Sequence, residues 1–252
     1  MATAGSIRTS GDSSTGKEAT AVHSVLITSA SRGIGLEFAR QYAAEGWRVL
    51  AACRNPSAAD TLQAIARASN GRVDALEMDV SDLKSVRHAA ERVPDQSIDV
   101  LINSAGIMGK VGQHIGDLDY DSWTEVLDVN TMGPMRVTEA FIEHLRRGQR
   151  KLNLTITSGM GSIADNTSGG WIAYRTSKAA VNMLMRTLAV DLKGSGVTCV
   201  LLNPGWVKTD MGGPNANITA EKSVANMRHV IDRLTAADSG KFYHHDGSEY
   251  PW

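Results

Sequence analysis

Tyr174 and Lys178 stand four residues apart in GGWIAYRTSK (169–178), a spacing that puts two side chains on one helical face, one turn apart. A free phenol has a pKa near 10 and is a poor acid–base group at neutrality. An ammonium about 5 Å away, at an effective dielectric near 20, favours the phenolate by roughly 3 kcal/mol. That is about two pKa units, enough to move the phenol toward the working range of a general acid or base. Ser158, in TSGMG (157–161), ends an apolar run just upstream. A hydroxyl there suits a carbonyl oxygen held against the phenolic proton. Asn103-Ser104-Ala105-Gly106 follows another apolar run, and Asn130 lies in DVNTMG (128–133).

A second group of residues suits a phosphate. Val25-Leu26-Ile27 runs directly into Thr28-Ser29-Ala30-Ser31-Arg32-Gly33-Ile34-Gly35. Placed between a buried strand and a helix, Gly33 lets backbone approach a diphosphate, and Gly35 lets helix pack on strand. The helix amino terminus adds unpaired N–H groups and partial positive charge. About 20 residues on, where NAD sites place a carboxylate for the ribose hydroxyl, the chain reads Ala51-Ala52-Cys53-Arg54-Asn55. Arg54, with Arg32 in the loop, suits a 2′-phosphate through forked, charge-assisted hydrogen bonds, which favours NADP(H).

Alternating elements must position these groups. Apolar runs at 25–27, 48–53, 73–79, 98–102, 151–157, 197–202 and 241–243 read as strands. Helical spacing covers 34–44, 57–68, 82–92 (capped by Ser81), 121–147 with an irregularity at Gly133-Pro134, 172–193 and 219–234. This alternation implies an α/β fold: a single-domain doubly wound parallel sheet, Rossmann-type, with helices on both faces. Ligands of such sheets sit at the carboxyl ends of the strands. No linker divides residues 23–252, whereas 1–22 is Ser/Thr-rich, without apolar periodicity, and reads as a flexible tail. Within it, Gly11-x4-Gly16-Lys17 starts like a P-loop, but Glu18 follows where Ser or Thr is needed.

The 26 basic residues balance 27 acidic ones at a net charge of -1, which gives no electrostatic case for nucleic acid or an anionic membrane. No apolar run approaches the roughly 18 residues of a membrane span. Two cysteines suit a reducing, cytoplasmic setting. His244-His245 lacks Asp, Glu or Cys partners at ligand spacing, so no metal is expected. Trp171, Trp206, Met160 and Met211 flank the motifs and are candidates for a pocket lining, with 211–219 as a mobile lid.

Taken together, TSASRGIG, Asp79, NSAG, Asn130, Ser158, Tyr174/Lys178 and Pro204-Gly205 with Thr209 resemble the short-chain dehydrogenase/reductase superfamily from about residue 24 onward. CRNP (53–56), GGWIAYRTSK, PGWVKTDMGG (204–213) and DGSEYPW (246–252) are similar to its C-factor/sniffer-type carbonyl-reductase branch. The resemblance implies NADPH-dependent reduction of an aldehyde or ketone, with Tyr174 as proton donor. It implies that Lys178 lowers the phenol's pKa and binds the nicotinamide ribose, that Ser158 orients the substrate and that Asn130 holds a water. Ser29, Ser31, Arg32, Gly33, Ile34, Gly35 and Arg54 would meet the phosphates. Asp79 and Val80 would meet the adenine; Asn103, Ala105 and Gly106 would line the cofactor, with Pro204, Val207 and Thr209 at the nicotinamide. A homodimer through helices 121–147 and 172–193 is the expected assembly. Ser29 departs from the family's first loop glycine, at a position where a positive φ would strain serine. Ser104 replaces the second asparagine of NNAG. Two rivals stand beside this reading: an alcohol dehydrogenase using NAD(P)+, and a dinucleotide-binding sensor with incidental turnover.

Overall fold

Ser24–Ile27 (β1) is buried along its whole length, and its side chains alternate between two cores. Val25 and Ile27 pack with Phe38, Tyr42 and Val49, while Leu26 packs with Leu50, Leu101 and Phe141. A strand covered on both faces carries no polar side, which is why it reads as a continuous apolar run. The computed structural model describes residues 1–2 and 22–252. All but the ends of the tail predicted over 1–22, including the P-loop-like stretch, lies outside the described residues.

After β1 come helix α1 (Gly33–Ala44), β2 (Arg48–Cys53), α2 (Asp60–Ala68), β3 (Val73–Glu77), α3 (Leu83–Glu91) and β4 (Val100–Asn103). The second half adds α4 (Tyr120–Leu127), α5 (Gly133–Arg147), β5 (Leu152–Ile156), α6 (Ile172–Asp191), β6 (Thr198–Asn203), β7 (Val207–Lys208), β8 (Ile218–Thr219), α7 (Ala220–Arg233) and β9 (Phe242–His244). Seven strands form one parallel sheet in the order β3-β2-β1-β4-β5-β6-β9, with β7 and β8 paired separately. This is the doubly wound, Rossmann-type α/β architecture expected from the alternation. Its winding reverses between β1 and β4, the point beyond whose carboxyl ends such sheets leave a crevice.

Three local expectations are corrected. Asp82, not Ser81, caps α3 by accepting from the Lys84 N–H at 2.8 Å; Ser81 instead donates to Asp79. Residues 56–58 form a separate 3-10 turn before α2, because Pro56 starts a turn that Asn55 caps. The helix predicted over 121–147 is interrupted earlier than Gly133-Pro134, by a π-helical turn at Asp128–Met132. Pro134 sits at the start of α5, where it needs no intrahelical donor.

Candidate active site

Ser158 leaves β5 in extended backbone and caps a 3-10 turn, its Oγ accepting from the Met160 N–H at 3.1 Å. Tyr174 and Lys178 lie in the first two turns of α6, with 9% and 4% of their surface exposed. The Lys178 Nζ stands 5.7 Å from the phenol ring centroid and donates to the Ile156 carbonyl at 3.1 Å. Burial raises the Tyr174 phenol above its usual pKa, while the neighbouring Ser158 hydroxyl pulls it back. Burial lowers the Lys178 amine to about 8. The shift of Tyr174 therefore runs opposite to the two-unit lowering expected from a bare Coulomb pair. Loss of hydration penalises both charged forms, and the amine bonds to backbone rather than to the phenol. A phenol kept protonated at neutral pH is in the state required to give a proton.

Asn130 owes its place to the π turn, which adds one residue to the helical path and turns this side chain inward. Its Oδ1 accepts from the Ile107 N–H and its Nδ2 donates to the Ile107 carbonyl, both at 2.8 Å. The same Nδ2 donates to the Ser177 Oγ, which in turn donates to the Tyr174 carbonyl. A Cβ on Gly106 would lie 3.5 Å from the Lys178 Nζ and 3.4 Å from the Asn130 Oδ1. The NSAG loop therefore runs directly against the amine. The Thr28 Oγ1 joins this loop to β1 across the crevice by accepting from the N–H groups of Ser104 and Ala105 at 2.9 and 3.0 Å. Asn103 is buried and donates to Asn153 and to the Leu154 carbonyl.

On the other side of the crevice, Ser29 has φ 56, the left-handed conformation suspected for it. A Cβ on Gly35 would come 2.4 Å from the Ser29 carbonyl oxygen, so α1 sits directly on the turn and only glycine fits. Arg32 precedes α1 with no side-chain cap on the helix, leaving first-turn N–H groups for a ligand. A cleft of about 490 Å³ opens here; its walls include Ser31, Gly33 and Thr209, the cations Arg32, Arg40 and Lys208, and the carboxylates Glu37 and Asp210. Arg54 is exposed at the end of β2 and is not part of that wall. Ser31 stands by the Cys53 thiol, and Ile34 is half-buried. The Asp79 carboxylate is engaged by the N–H and hydroxyl of Ser81, and the Val80 carbonyl accepts from Arg136. The Pro204 carbonyl accepts from the Ser223 hydroxyl, and Val207 is buried. Thr209 reaches back to the glycine loop, 3.5 Å from where a Gly33 Cβ would be.

Trp171, Trp206 and Met211 are exposed, and Met160 is partly buried. The 211–219 stretch expected as a lid is bonded at both ends, through the Trp206 indole to the Gly212 carbonyl and through β7–β8 pairing. His244 and His245 are each held by an asparagine, Asn203 and Asn226.

A family model described as short chain dehydrogenase matches residues 23–219. The chain belongs to the short-chain dehydrogenase/reductase superfamily. It is 46% identical to the C-signal of Myxococcus xanthus over 167 residues, 66% of this chain and all of that protein. A carbonyl reductase from chicken fatty liver, solved with NADPH bound, superposes with TM-score 0.85 at 34% identity, covering 92% of this chain and 99% of that one. The carbonyl reductase Sniffer of D. melanogaster gives TM-score 0.84 at 30% identity, over 92% and 100% of the two chains. These likenesses support the C-factor/sniffer-like branch.

In this short-chain dehydrogenase/reductase, sequence reasoning missed Arg40 and Lys208 in the cleft wall, and Ile107, Ile156 and Ser177 around the buried amine. Helical periodicity carried a signal for Arg40, since Gly33, Glu37 and Arg40 follow one another on a single face of α1. The contacts of Ile107 and Ile156 are made through backbone, for which side-chain type gives no signal.

Proposed function

We propose that the chain is an NADPH-dependent reductase of aldehydes or ketones, built on residues 23–252 as one oxidoreductase domain. The observation that carries this reading is the convergence of Ser158, Tyr174 and Lys178 beside the crevice between β1 and β4. All lie at or beyond the carboxyl ends of the strands, where such sheets bind nucleotides. The residues fit a dinucleotide: an uncapped helix start with Arg32 before it, a glycine at φ 56 and a cleft whose wall offers Arg32 and Lys208, while Arg40 there is paired with Glu37. When bound, the reduced nicotinamide supplies the hydride.

The chain's own residues then do the following. Ser158 holds the carbonyl oxygen and Tyr174 gives it a proton. The Lys178 amine binds the nicotinamide ribose and favours the phenolate left behind, and Asn130 holds the loop at Ile107 and a water for proton return. Gly33, Ile34 and Gly35 offer backbone to the diphosphate, with Ser29 and Ser31 in the same turn. Arg32 and Arg54 hold the 2′-phosphate, Asp79 and Val80 the adenine side. Asn103, Ala105, Gly106, Pro204, Val207 and Thr209 line the nicotinamide half. We also propose a homodimer through α4, α5 and α6, where Tyr120, Met132, Met183 and Val190 are exposed, in a cytoplasmic setting. The sensor reading draws on the strained Ser29 and on the likeness to a protein named C-signal.

A panel of aldehydes, ketones and quinones, assayed by loss of NADPH absorbance, tests the proposal. Turnover with a kcat/KM preference for NADPH over NADH is expected, shrinking in Arg32→Ala. A preference for NADH, or no turnover across the panel, contradicts it.

A further inference from the structure

The segment from Ser158 to Trp171, between β5 and α6, carries the serine of the site; Arg175 and Asn182 of α6 bond to its Gly169, Ser168 and Gly161, and a distant part of the chain supplies further fixing points around Gly159 and Asp165. Beyond β9 the backbone turns at Gly247 (φ 91) and returns antiparallel. The His244 N–H donates to Ser248 at 2.8 Å, and the Tyr250 N–H to Phe242 at 2.7 Å. This hairpin delivers the Tyr250 ring against Phe242, centroid to centroid 5.1 Å. The Tyr250 phenol donates to the Asp165 carboxylate at 2.7 Å. A Cβ built on Gly159 would lie 2.6 Å from the same phenol oxygen and 3.2 Å from the Asn203 amide nitrogen. Tyr250 therefore touches both the residue after Ser158 and the far side of its loop. Next to it, the Trp252 backbone oxygen accepts from the Ala164 N–H at 2.7 Å and the Ser162 hydroxyl at 3.0 Å.

We infer that Tyr250 is a positioning residue: its phenol, wedged on Gly159 and bonded to Asp165, fixes the path of residues 158–165 and with it the direction of the Ser158 hydroxyl. The inference rests on the proposed reductase activity for its catalytic consequence, but the clamp itself does not. A side chain at Gly159 would meet this phenol, so one or the other would have to shift. The phenol meets Gly159, the first residue of the 3-10 turn that Ser158 caps, so rotation of the turn would carry the Ser158 Oγ with it. A hydroxyl displaced by about 1 Å from a reacting carbonyl is enough to cost up to a hundredfold in rate.

Two measurements separate the clamp from the chemistry. Amide hydrogen exchange over 158–165, on the full chain, reads the clamp directly. Tyr250→Phe keeps the ring and removes only the hydroxyl, so exchange there is expected to rise at least several-fold while α6 stays protected. In NADPH oxidation with a carbonyl from the panel, kcat is expected to fall between about ten- and a hundredfold. The Kd for NADPH, measured by fluorescence, is expected to hold. Asp165→Asn, which keeps an acceptor, should retain several times the kcat of Asp165→Ala, a rescue that general loosening of the fold does not produce. Unchanged exchange in Tyr250→Phe overturns the clamp, whatever the activity. Raised exchange with wild-type kcat overturns the positioning role. A wild-type protein that reduces no carbonyl overturns the functional reading instead, and the exchange result still stands.

Discussion

Lys178 illustrates how a single buried group trades stability for chemistry. Its folded pKa of about 8 lies below that of an exposed lysine, so the unfolded chain binds more protons between pH 8 and about 10.4, and stability rises with pH across that window. At neutral pH the buried ammonium is a cost to the fold. If it is the charged amine that serves the nucleotide, kcat/KM for NADPH should be flat below pH 8 and fall above it. A flat profile through pH 9 contradicts the assignment. Ser29 is a second strained residue. Its left-handed backbone costs a non-glycine residue about 1 kcal/mol, so Ser29→Gly should raise Tm by about 2–4 °C; a lowered Tm in a thermal melt would show that the side chain compensates. The Tyr174–Lys178 pair and the glycine loop were legible as local patterns, whereas Asn130 and the cofactor-lining residues were given roles only through the family resemblance. The ionisation of the pair was not legible. It depends on burial and on the Ile156 carbonyl, neither of which spacing reveals.

Elements position these residues through buried polar joints at both edges of the sheet. At the edge away from the site, Asp99, which leads into β4, accepts from the N–H groups of Ser24, Gln149 and Arg150 at 2.8, 2.7 and 3.3 Å. Burial alone would raise its pKa; these donors outweigh burial and leave it lowered. A depressed carboxylate stabilises the fold above its unfolded value near 4, and that contribution is lost as pH falls through the folded pKa. Asp99→Ala leaves three backbone donors unpaired, and removes the carboxylate that faces His23; it should cost about 3 kcal/mol in urea unfolding at pH 7, with a smaller deficit near pH 3. An equal deficit at both pH values would mean the charge is irrelevant. Strand and helix identities could be read from periodicity, since buried parallel strands and amphipathic helices write different patterns. The π turn at 128–132 could not, because one extra residue in a helix leaves no compositional mark. The β7–β8 pairing escaped for a similar reason: two-residue strands are too short for any period to show.

At the scale of the whole molecule, the winding reversal between β1 and β4 gathers groups from β1, β4, β5, β6 and the helices that follow them into one crevice. The fold class was accessible from alternation, whereas the hairpin that brings Tyr250 to Asp165 joins residues 85 positions apart and follows from no local rule. Exposed Met183 and Val190 on α6, with exposed Tyr120 on α4 and Met132 on the π turn, are expected to be covered by a second copy. Sedimentation should give a dimer that Met183→Asp weakens; a monomer at micromolar concentration contradicts that arrangement. The decisive test is Tyr174→Phe, which removes one oxygen. NADPH should bind with unchanged Kd while its oxidation by a carbonyl substrate falls at least about a thousandfold, within the range of a lost general acid. Retention of more than a tenth of wild-type turnover would show that the proton comes from elsewhere.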